Sequence, residues 1–193
     1  DAVSADAPDA PAPSVPPATY QVTFSKTGPA RFLGHLEMVN IFIRAFRRAK
    51  IPIAYSHGFH PMPRLSFSDT IPMGMQSEDE RMWIALTEAM DPQALVSHLQ
   101  PQLPAGLAVV ACRTQAGKKG SHRSNPLHYQ VELIDGFFHQ NDLEWFRNQR
   151  QVTVARKSKK SDAAAVDLKK AVIDLRLINA RQALMTLGTD NHL

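Results

Sequence analysis

The sequence of 193 residues lacks several of the patterns that build cofactor sites and membrane spans. Its one cysteine, Cys112, allows neither an internal disulfide nor a multi-cysteine site for zinc or an iron–sulfur cluster. It has no run of about 18 apolar residues, which excludes a membrane-spanning helix. The glycine-rich patterns of nucleotide-binding loops, GxGxxG and GxxxxGKS/T, are absent as well. We therefore expect a protein with no cofactor, no metal and no membrane partner.

Acidic residues are sparse outside the first 18 residues. That segment holds Asp1, Asp6 and Asp9 with six alanines, five prolines and no basic residue. This composition predicts a disordered linker, residues 1–18, such as remains on a fragment cut from a longer protein. The rest of the chain has 22 basic and 15 acidic residues, a net charge of +7. Such an excess favours a polyanionic partner, RNA first, although it is also typical of surfaces that serve only solubility.

A regular series of elements is predicted between residues 19 and 114. Alternating polarity predicts strands at Tyr20–Lys26, at both ends of Ile53–Phe67, at Arg81–Thr87 and at Leu107–Arg113. Helical spacing predicts helices at Gly34–Lys50 and from the Asp91 cap to Gln100, and Ile71–Glu78 reads as a loop. The order β-α-β-β-α-β is ferredoxin-like, an α+β antiparallel sheet with two helices on one face. The predicted core is Leu36, Val39, Phe42, Ile43 and Phe46 against Val22, Phe24, Trp83 and Ala85.

A second α+β unit is predicted at residues 127–193, after a loop at 115–126. Its strands are Leu127–Ile134, Gln151–Ala155, Val172–Ile178 and Gln182–Leu187, and its helix is Gln140–Gln149, capped by Asn141 or Asp142. Two interpretations stay open. The segment is either a smaller, incomplete second ferredoxin-like unit or an extension of the first sheet.

The segment Tyr55–Phe67, YSHGFHPMPRLSF, concentrates the residue types that bind ligands. Prolines stiffen it, and Gly58 allows backbone to come close to a ligand. His57 and His60 are three residues apart, which is only a weak metal pattern without a third ligand. The alternative is a rigid connection whose Tyr55, Phe59 and Phe67 fill the core.

The start of the first predicted helix lies in the same region as an expected anion site. Free N–H groups at a helix start favour anions, and Arg31 and His35 stand there. We predict an anion-binding site formed by Arg31, His35, Ser56, His57, Gly58, His60, Arg64 and Ser66. In the alternative, Arg64 pairs with Glu37 or Glu78, and the cluster only stiffens the fold.

Two basic groups are predicted to contact nucleic acid. They are Arg44, Arg47 and Arg48 at the end of the first helix, and Arg156, Lys157, Lys159 and Lys160 in a later loop. The second group is equally consistent with a solvated charged loop. Cys112 ends an apolar strand and is expected to be an inert, buried thiol.

The stretch from Phe24 to Glu80 resembles the radical-SAM-linked domain of unknown function. The motifs that carry the resemblance are SKTG at 25–28, RFLGHLE at 31–37, YSHGFHP at 55–61, PRLSF at 63–67 and GMQSE at 74–78. This bacterial domain is found fused to, or encoded beside, cobalamin-binding-type radical SAM proteins, and no activity is established for it. Family members often have Asp at position 37 and Gln at position 57, which argues against a metal at His57.

The resemblance implies a role beside RNA metabolism. Such domains are often encoded near an RNase E/G-type ribonuclease and large-subunit ribosomal proteins, which implies a cytoplasmic protein. A glycine-containing motif after a helix is also similar to the RAMP superfamily of RNA-binding proteins.

Three functions are consistent with the sequence. The first is a non-catalytic module that recognises RNA or a ribosomal component for a radical SAM partner. The second is a protein–protein docking domain for that enzyme, without nucleic acid. The third is a metal-independent endoribonuclease-like domain that uses His35 or His60.

Overall fold

The computed structural model describes residues 17–68, 71–115, 126–156 and 164–188. The chain divides into two compact units, residues 1–119 and 120–193. The described residues contain four α-helices and antiparallel sheets, so the predicted α+β class is confirmed. Within these ranges, no helix is long and apolar enough to cross a membrane.

The first unit contains one four-stranded sheet and two α-helices, which follow one another in the predicted order. The elements are β1 (Ala18–Lys26), α1 (His35–Arg48), β2 (Leu65–Phe67), β3 (Ser77–Leu86), α2 (Pro92–Leu99) and β4 (Leu107–Thr114). Short 3₁₀ turns at Gly28–Phe32 and Gln100–Gln102 precede α1 and follow α2. The strands lie in the order β2-β3-β1-β4, and each neighbouring pair is antiparallel.

Both helices of this unit pack on the same face of the sheet. Alternate residues of β1 pair with alternate residues of β3 on that face: Tyr20 with Ile84 and Val22 with Met82. Phe24 of β1 meets Phe42 of α1 edge to face, with ring centroids 4.9 Å apart. The buried helix residues in this cluster are Met38, Phe42, Ala45, Phe46, Leu95 and Leu99. Burial of these apolar side chains is the main stabilising contribution in the unit.

The predicted core face of α1 was partly wrong. Phe42 and Phe46 are buried as expected, but Leu36 is 75% exposed, and Met38 and Ala45 take the remaining buried positions. Eight of the 14 residues of α1 are apolar, so spacing alone allows two overlapping stripes. In the observed stripe, Met38 and Ala45 rather than Leu36 pack against the sheet.

Two strand residues of the predicted core lie on the opposite side of the sheet. Trp83 and Ala85 are buried, but they alternate with Met82, Ile84 and Leu86, which face the helices. Side chains of a strand alternate between its two faces, so only one of the two sets can face α1 and α2. The sequence run RMWIALT is apolar on both faces and does not distinguish them.

The start of β3 was also mispredicted, because its first residues are polar. Ser77 and Glu78 were expected in a loop but belong to β3, where Arg81 pairs with Asp79 at 2.6 Å. Asp91 does cap α2 as predicted, because its Oδ2 accepts a hydrogen bond from the Ala94 N–H at 2.9 Å.

The second unit has its own antiparallel sheet. Its elements are β5 (Leu127–Glu132), α3 (Gln140–Asn148), β6 (Thr153–Arg156), β7 (Ala164–Asp167), α4 (Leu168–Ala171), β8 (Val172–Asn179) and β9 (Gln182–Leu187). Three strands form a sheet in the order β5-β9-β8, and β6 pairs only with β7. Among the described residues, no strand of this unit joins the first sheet, so the interpretation as an extension of that sheet is wrong. The cap of α3 is His139 rather than Asn141 or Asp142.

Candidate functional site

The chain before α1 is held by a close approach to the start of β4. The N–H of Thr27 donates to the carbonyl of Gly106 at 2.8 Å. Gly106 has φ +90, and a Cβ there would lie 2.3 Å from the Thr27 carbonyl oxygen, so only glycine fits. The N–H of Gly28 donates to Oε1 of Gln76 at 2.8 Å, which ties the same turn to the segment before β3.

The first turn of α1 already has an acidic partner. Gly34 is the extended N-cap, and its N–H donates to Oε2 of Glu37 at 2.7 Å. Glycine has no side chain to cap the helix in return, so the remaining N–H groups of the turn are open to solvent or to a ligand. The Glu37 carboxylate occupies part of the anion position predicted at this helix start.

Arg31 is held by its own loop rather than aimed at the first turn of α1. Its carbonyl accepts a hydrogen bond from the Gly74 N–H at 2.8 Å, and its guanidinium lies 4.6 Å from the ring centroid of Phe32. Its Nε is buried and has no hydrogen-bond partner among the described residues. The stacking partner, Phe32, is exposed, and Arg31 itself is half-buried.

His35 and Ser66 are the two predicted site residues that line one cavity. A cavity of about 430 Å³ lies between α1 and β2, and we call it the α1–β2 groove. Its lining residues are His35, Val39, Ile43, Met62, Pro63, Leu65, Ser66 and Phe67. The His35 ring meets the edge of Phe67 at 5.5 Å, and most of the lining is apolar.

The loop from Tyr55 to Pro63 is closed at its base by backbone and hydroxyl contacts. Tyr55 forms an isolated antiparallel bridge with Pro63. Ser56 donates from its N–H to the Met62 carbonyl at 2.8 Å, and its hydroxyl accepts from the Met62 N–H at 3.0 Å. Gly58, with φ +129, turns the chain at the tip. The Ser56 hydroxyl therefore has a structural partner within the loop.

The tip of this loop presents its side chains to solvent. His57, Gly58 and His60 are exposed, and Phe59 is fully exposed. Tyr55 is 42% exposed, and Phe67 packs on Phe24. The alternative in which all three aromatic residues fill the core is thus wrong for Tyr55 and Phe59.

Arg64 does not line the α1–β2 groove with His35. Leu65 and Phe67 pair with Ile84 and Met82, which face the helices, so the alternation of β2 turns the intervening side chains to the other face. Arg64 is exposed and forms no ion pair with Glu37 or Glu78. The structure therefore separates Arg64 from His35, and it equally gives no support to the predicted Arg64 ion pairs.

The exposed side of α1 carries the first predicted basic group. Arg44, Arg47 and Lys50 are exposed and form no ion pair among the described residues. Arg48 is engaged: its Nε donates to Oε1 of Gln102 at 3.1 Å, and its Nη2 donates to the Gln102 carbonyl at 2.5 Å. Arg47 lines a smaller cavity of about 180 Å³ together with Tyr55.

We group these cations with the exposed aromatic residues of the following loop as the basic–aromatic surface, within which Arg47 and Tyr55 line one cavity. Its members are Arg44, Arg47, Lys50, Tyr55 and Phe59. Between residues 31 and 64 the chain has six Arg or Lys residues and one acidic residue, Glu37. Glu37 accepts a hydrogen bond from the Gly34 N–H at the start of α1 and forms no ion pair with these cations among the described residues.

The second predicted basic group lies at the margin of the described residues. Arg156 is the last residue of β6, and Lys157, Lys159 and Lys160 lie outside the described residues. Nearby, Lys169 has a structural role, because its Nζ donates to the carbonyls of Phe146 and Arg147 at 3.2 and 3.1 Å.

Two further candidate reactive groups are a cluster of metal ligands and the Cys112 thiol. The described residues contain no group of three or more His, Cys, Asp or Glu side chains placed to hold a metal ion. Cys112 is half-buried rather than fully buried. Burial, with a smaller contribution from the Asp91 carboxylate, raises the pKa of its thiol to about 11. At neutral pH this thiol is protonated and is a poor nucleophile.

Sequence reasoning missed a group of exposed apolar residues around the start of α1. They are Phe32, Leu36, Met62, Met73 and Met75. Their signal was present in the sequence, because several large apolar residues lie in the loops that flank α1. Clustered exposed apolar residues mark interaction surfaces more often than catalytic ones.

Comparison with known proteins places the chain in a family without assigning it an activity. A family model described as an uncharacterized protein conserved in bacteria, DUF2344, matches residues 19–192. No curated protein matches the chain. The match covers both compact units and every motif considered above. The chain therefore belongs to the DUF2344 family of uncharacterized conserved bacterial proteins.

Proposed function

We propose that this protein is a non-catalytic recognition module that binds single-stranded RNA on the basic–aromatic surface of its first unit. The observation that carries the proposal is the combination of Arg44, Arg47 and Lys50, free of ion pairs among the described residues, with exposed Tyr55 and Phe59. Cations neutralise phosphates without reading sequence, and aromatic rings stack on unpaired bases. Each stacked base contributes about 1–3 kcal/mol by alanine substitution.

The architecture supports the same proposal. We infer that residues 19–114 form a ferredoxin-like domain, because the element order is β-α-β-β-α-β and both helices pack on one face of an antiparallel sheet. Residues 127–193 would form the second domain, and residues 1–18 the linker. In that second domain the order β5-β9-β8, with β6–β7 apart, supports only an α+β unit.

Several features support recognition rather than catalysis. The Ser56 hydroxyl closes its own loop, the Cys112 thiol has a raised pKa, and His35 packs against Phe67 in an apolar groove. We further propose, on the sequence resemblance alone, that the module presents RNA or a ribosomal component to a radical SAM enzyme in the cytoplasm. Arg156, Lys157, Lys159 and Lys160 would add a second phosphate contact.

The test is a titration of a labelled single-stranded 12-mer oligouridylate by fluorescence anisotropy at several salt concentrations. The double variant Arg44→Gln/Arg47→Gln should bind at least tenfold more weakly, because two phosphate contacts are lost. The slope of log K against log salt should become shallower by about 1.4, the value expected for two contacts to a single strand.

A matched control removes the same kind of charge elsewhere. Arg176 is an exposed arginine of β8 with Asp174 as its partner at 3.6 Å, and Arg176→Gln should leave affinity and slope unchanged. If the double variant and Arg176→Gln weaken binding equally, the effect is only net charge, and the proposed surface is wrong. Wild-type protein that does not bind the oligonucleotide at low salt would end the proposal as a whole.

A further inference from the structure

A second surface of the first unit has the form of a peptide-binding site. The α1–β2 groove has one wall from α1, where His35, Val39 and Ile43 are spaced by four residues and share one side of the helix. Arg47 continues the same row and lines the adjoining cavity of about 180 Å³, which shares Ile43 and Pro63 with the groove. The two cavities thus adjoin along α1, with His35 at one end, Arg47 at the other and mostly apolar residues between them.

The other wall of the groove is an edge strand with free backbone groups. β2 is the last strand of the sheet and pairs with β3 on one side only. The Arg64 carbonyl accepts from the Ala85 N–H at 2.9 Å, and the Ser68 N–H donates to the Arg81 carbonyl at 2.8 Å. The backbone hydrogen bonds to β3 therefore lie at positions 64, 66 and 68, and the backbone groups of Leu65 and Phe67 point toward the open edge of the sheet.

Most of the open edge lacks a partner. The Leu65 N–H donates to the Pro63 carbonyl at 2.9 Å. The Leu65 carbonyl and both backbone groups of Phe67 have no hydrogen-bond partner within the described parts of the chain. Unpaired N–H and C=O groups of an edge strand form a template for another extended chain.

We propose that the α1–β2 groove binds an extended peptide segment of a partner protein, which adds to β2 as a further strand. Its alternate side chains would enter the apolar middle of the groove between Val39, Ile43 and Leu65. The thirteen positions from His35 to Arg47 span about 18 Å of helix, which matches about five or six residues of extended chain.

The charge of the groove selects the chemistry of the peptide. His35 and Arg47 stand at the two ends, and no acidic residue lines either cavity. The occupant is thus an extended segment with apolar residues at alternate positions and a carboxylate near each end. RNA does not suit this wall, because an apolar channel offers its phosphates no partners in the middle.

This proposal and RNA binding share Arg47 and Tyr55, which line the smaller cavity, but a pair of variants on one helix separates the two. Val39→Glu places a carboxylate inside the groove, whereas Leu36→Glu places the same group on the same helix at a 75% exposed position outside the groove lining. Both variants leave Arg44, Arg47 and Phe59 in place, so both should bind oligouridylate as the wild type does. Circular dichroism spectra and melting temperatures establish that each variant is folded.

The experiment uses a displayed library of random heptapeptides, selected on the full chain. Enriched sequences should have apolar residues at alternate positions with Asp or Glu towards the ends. A synthetic peptide from that set should bind Val39→Glu at least tenfold more weakly than the wild type, and Leu36→Glu within twofold of it. Hydrogen exchange should show the Phe67 amide protected by the peptide, which is the direct sign of strand addition.

Three results would overturn the proposal. The first is a library that yields no enriched peptide. The second is a peptide that binds Val39→Glu and the wild type equally well. The third is a bound peptide that leaves the Phe67 amide unprotected. Oligouridylate that is lost from Val39→Glu but not from Leu36→Glu would also overturn it, since the groove would then be part of the RNA site.

Discussion

Two phenylalanines close together in the sequence have opposite environments. Phe46 of α1 is 1% exposed and belongs to the core cluster, whereas Phe59 at the tip of its loop is fully exposed. Phe46→Ala should lower the free energy of unfolding by about 3–5 kcal/mol, since it removes buried apolar area and leaves a cavity. Phe59→Ala should change it by less than about 0.5 kcal/mol.

Urea denaturation of the two variants measures both effects. If Phe59→Ala destabilises the protein as much as Phe46→Ala does, the loop tip is packed, and Phe59 is not available for stacking on a base.

Cys112 reports on the half-buried environment at the end of β4. Its thiol has a pKa of about 11, raised from the ordinary value of 9.0 by burial first and by Asp91 second. Alkylation of the native protein by iodoacetamide should therefore have its midpoint near pH 11, and alkylation of the urea-unfolded chain near pH 9. The contribution of this group to stability is complete below pH 9 and is lost as pH rises from 9 to 11. A native thiol that reacts with a midpoint at or below that of the unfolded chain would contradict this environment.

Two charged side chains are buried at the same end of the sheet. Lys26 of β1 is 1% exposed and Glu80 of β3 is 6% exposed, and neither forms an ion pair among the described residues. Neither side chain has an atom among the fully buried, unpartnered polar atoms of the described residues, so the Lys26 stem is buried while its ammonium keeps some access to solvent. Lys26→Met should therefore change the free energy of unfolding by less than about 1 kcal/mol, because the thioether keeps the buried length of the stem.

The melting temperature of Lys26→Met, compared with Lys50→Met, gives the measurement. Lys50 is exposed and follows the end of α1. Its φ of 53 is equally unfavourable for Lys and Met, so Lys50→Met should melt close to the wild type. A large loss of stability in Lys26→Met would show that the Lys26 ammonium has a stabilising partner.

Among the elements, α1 shows what sequence periodicity can predict and what it cannot. Its bounds were predicted to within two residues, because Gly34 and Pro52 are strong local signals at its two ends. Its buried stripe was only half predicted. Local spacing fixes which residues share a side of the helix, but the choice between two apolar sides depends on the sheet beneath, which is formed by residues far away in the sequence.

The N-terminus of α1 depends on one acidic side chain. Glu37 accepts from the Gly34 N–H at 2.7 Å, which satisfies a backbone donor at the helix start. Glu37→Ala should lower the free energy of unfolding by about 0.5–2 kcal/mol. Glu88→Ala, at an exposed position outside the helices, is the matched control and should have little effect. Equal stability of the two variants in urea would show that this bond contributes nothing.

For the molecule as a whole, the candidate site was less predictable than the fold. The sequence predicted a single anion site where the start of the first helix meets the Tyr55–Phe67 segment. Its members included Arg31 and His35 from the first and Arg64 and Ser66 from the second. The alternation of β2 turns Arg64 away from His35, and the Glu37 carboxylate lies at the helix start. The groove itself combines α1 with a strand about twenty residues later, a juxtaposition that only the folded sheet creates.

The basic–aromatic surface was half predicted for a similar reason. Arg44, Arg47 and Arg48 were recognised from their charge, but the Gln102 contact that engages Arg48 comes from a distant turn. Phe59 was an alternative core residue in the sequence, since nothing local indicates whether a phenylalanine beside Gly58 points inward or outward. Its exposure is what makes base stacking feasible.

The measurement that tests the central claim most directly is the position of RNA on the folded protein. A 4-thiouridine-containing oligouridylate is bound to the full chain, crosslinked by light, and the modified tryptic peptides are identified by mass spectrometry. Tyr55 and Phe59 lie in one tryptic peptide, Ile51–Arg64. The account predicts that this peptide carries the main crosslink and that Phe59→Ala removes most of it. Crosslinks confined to the second unit, for example to the peptide that contains Trp145, would contradict the account.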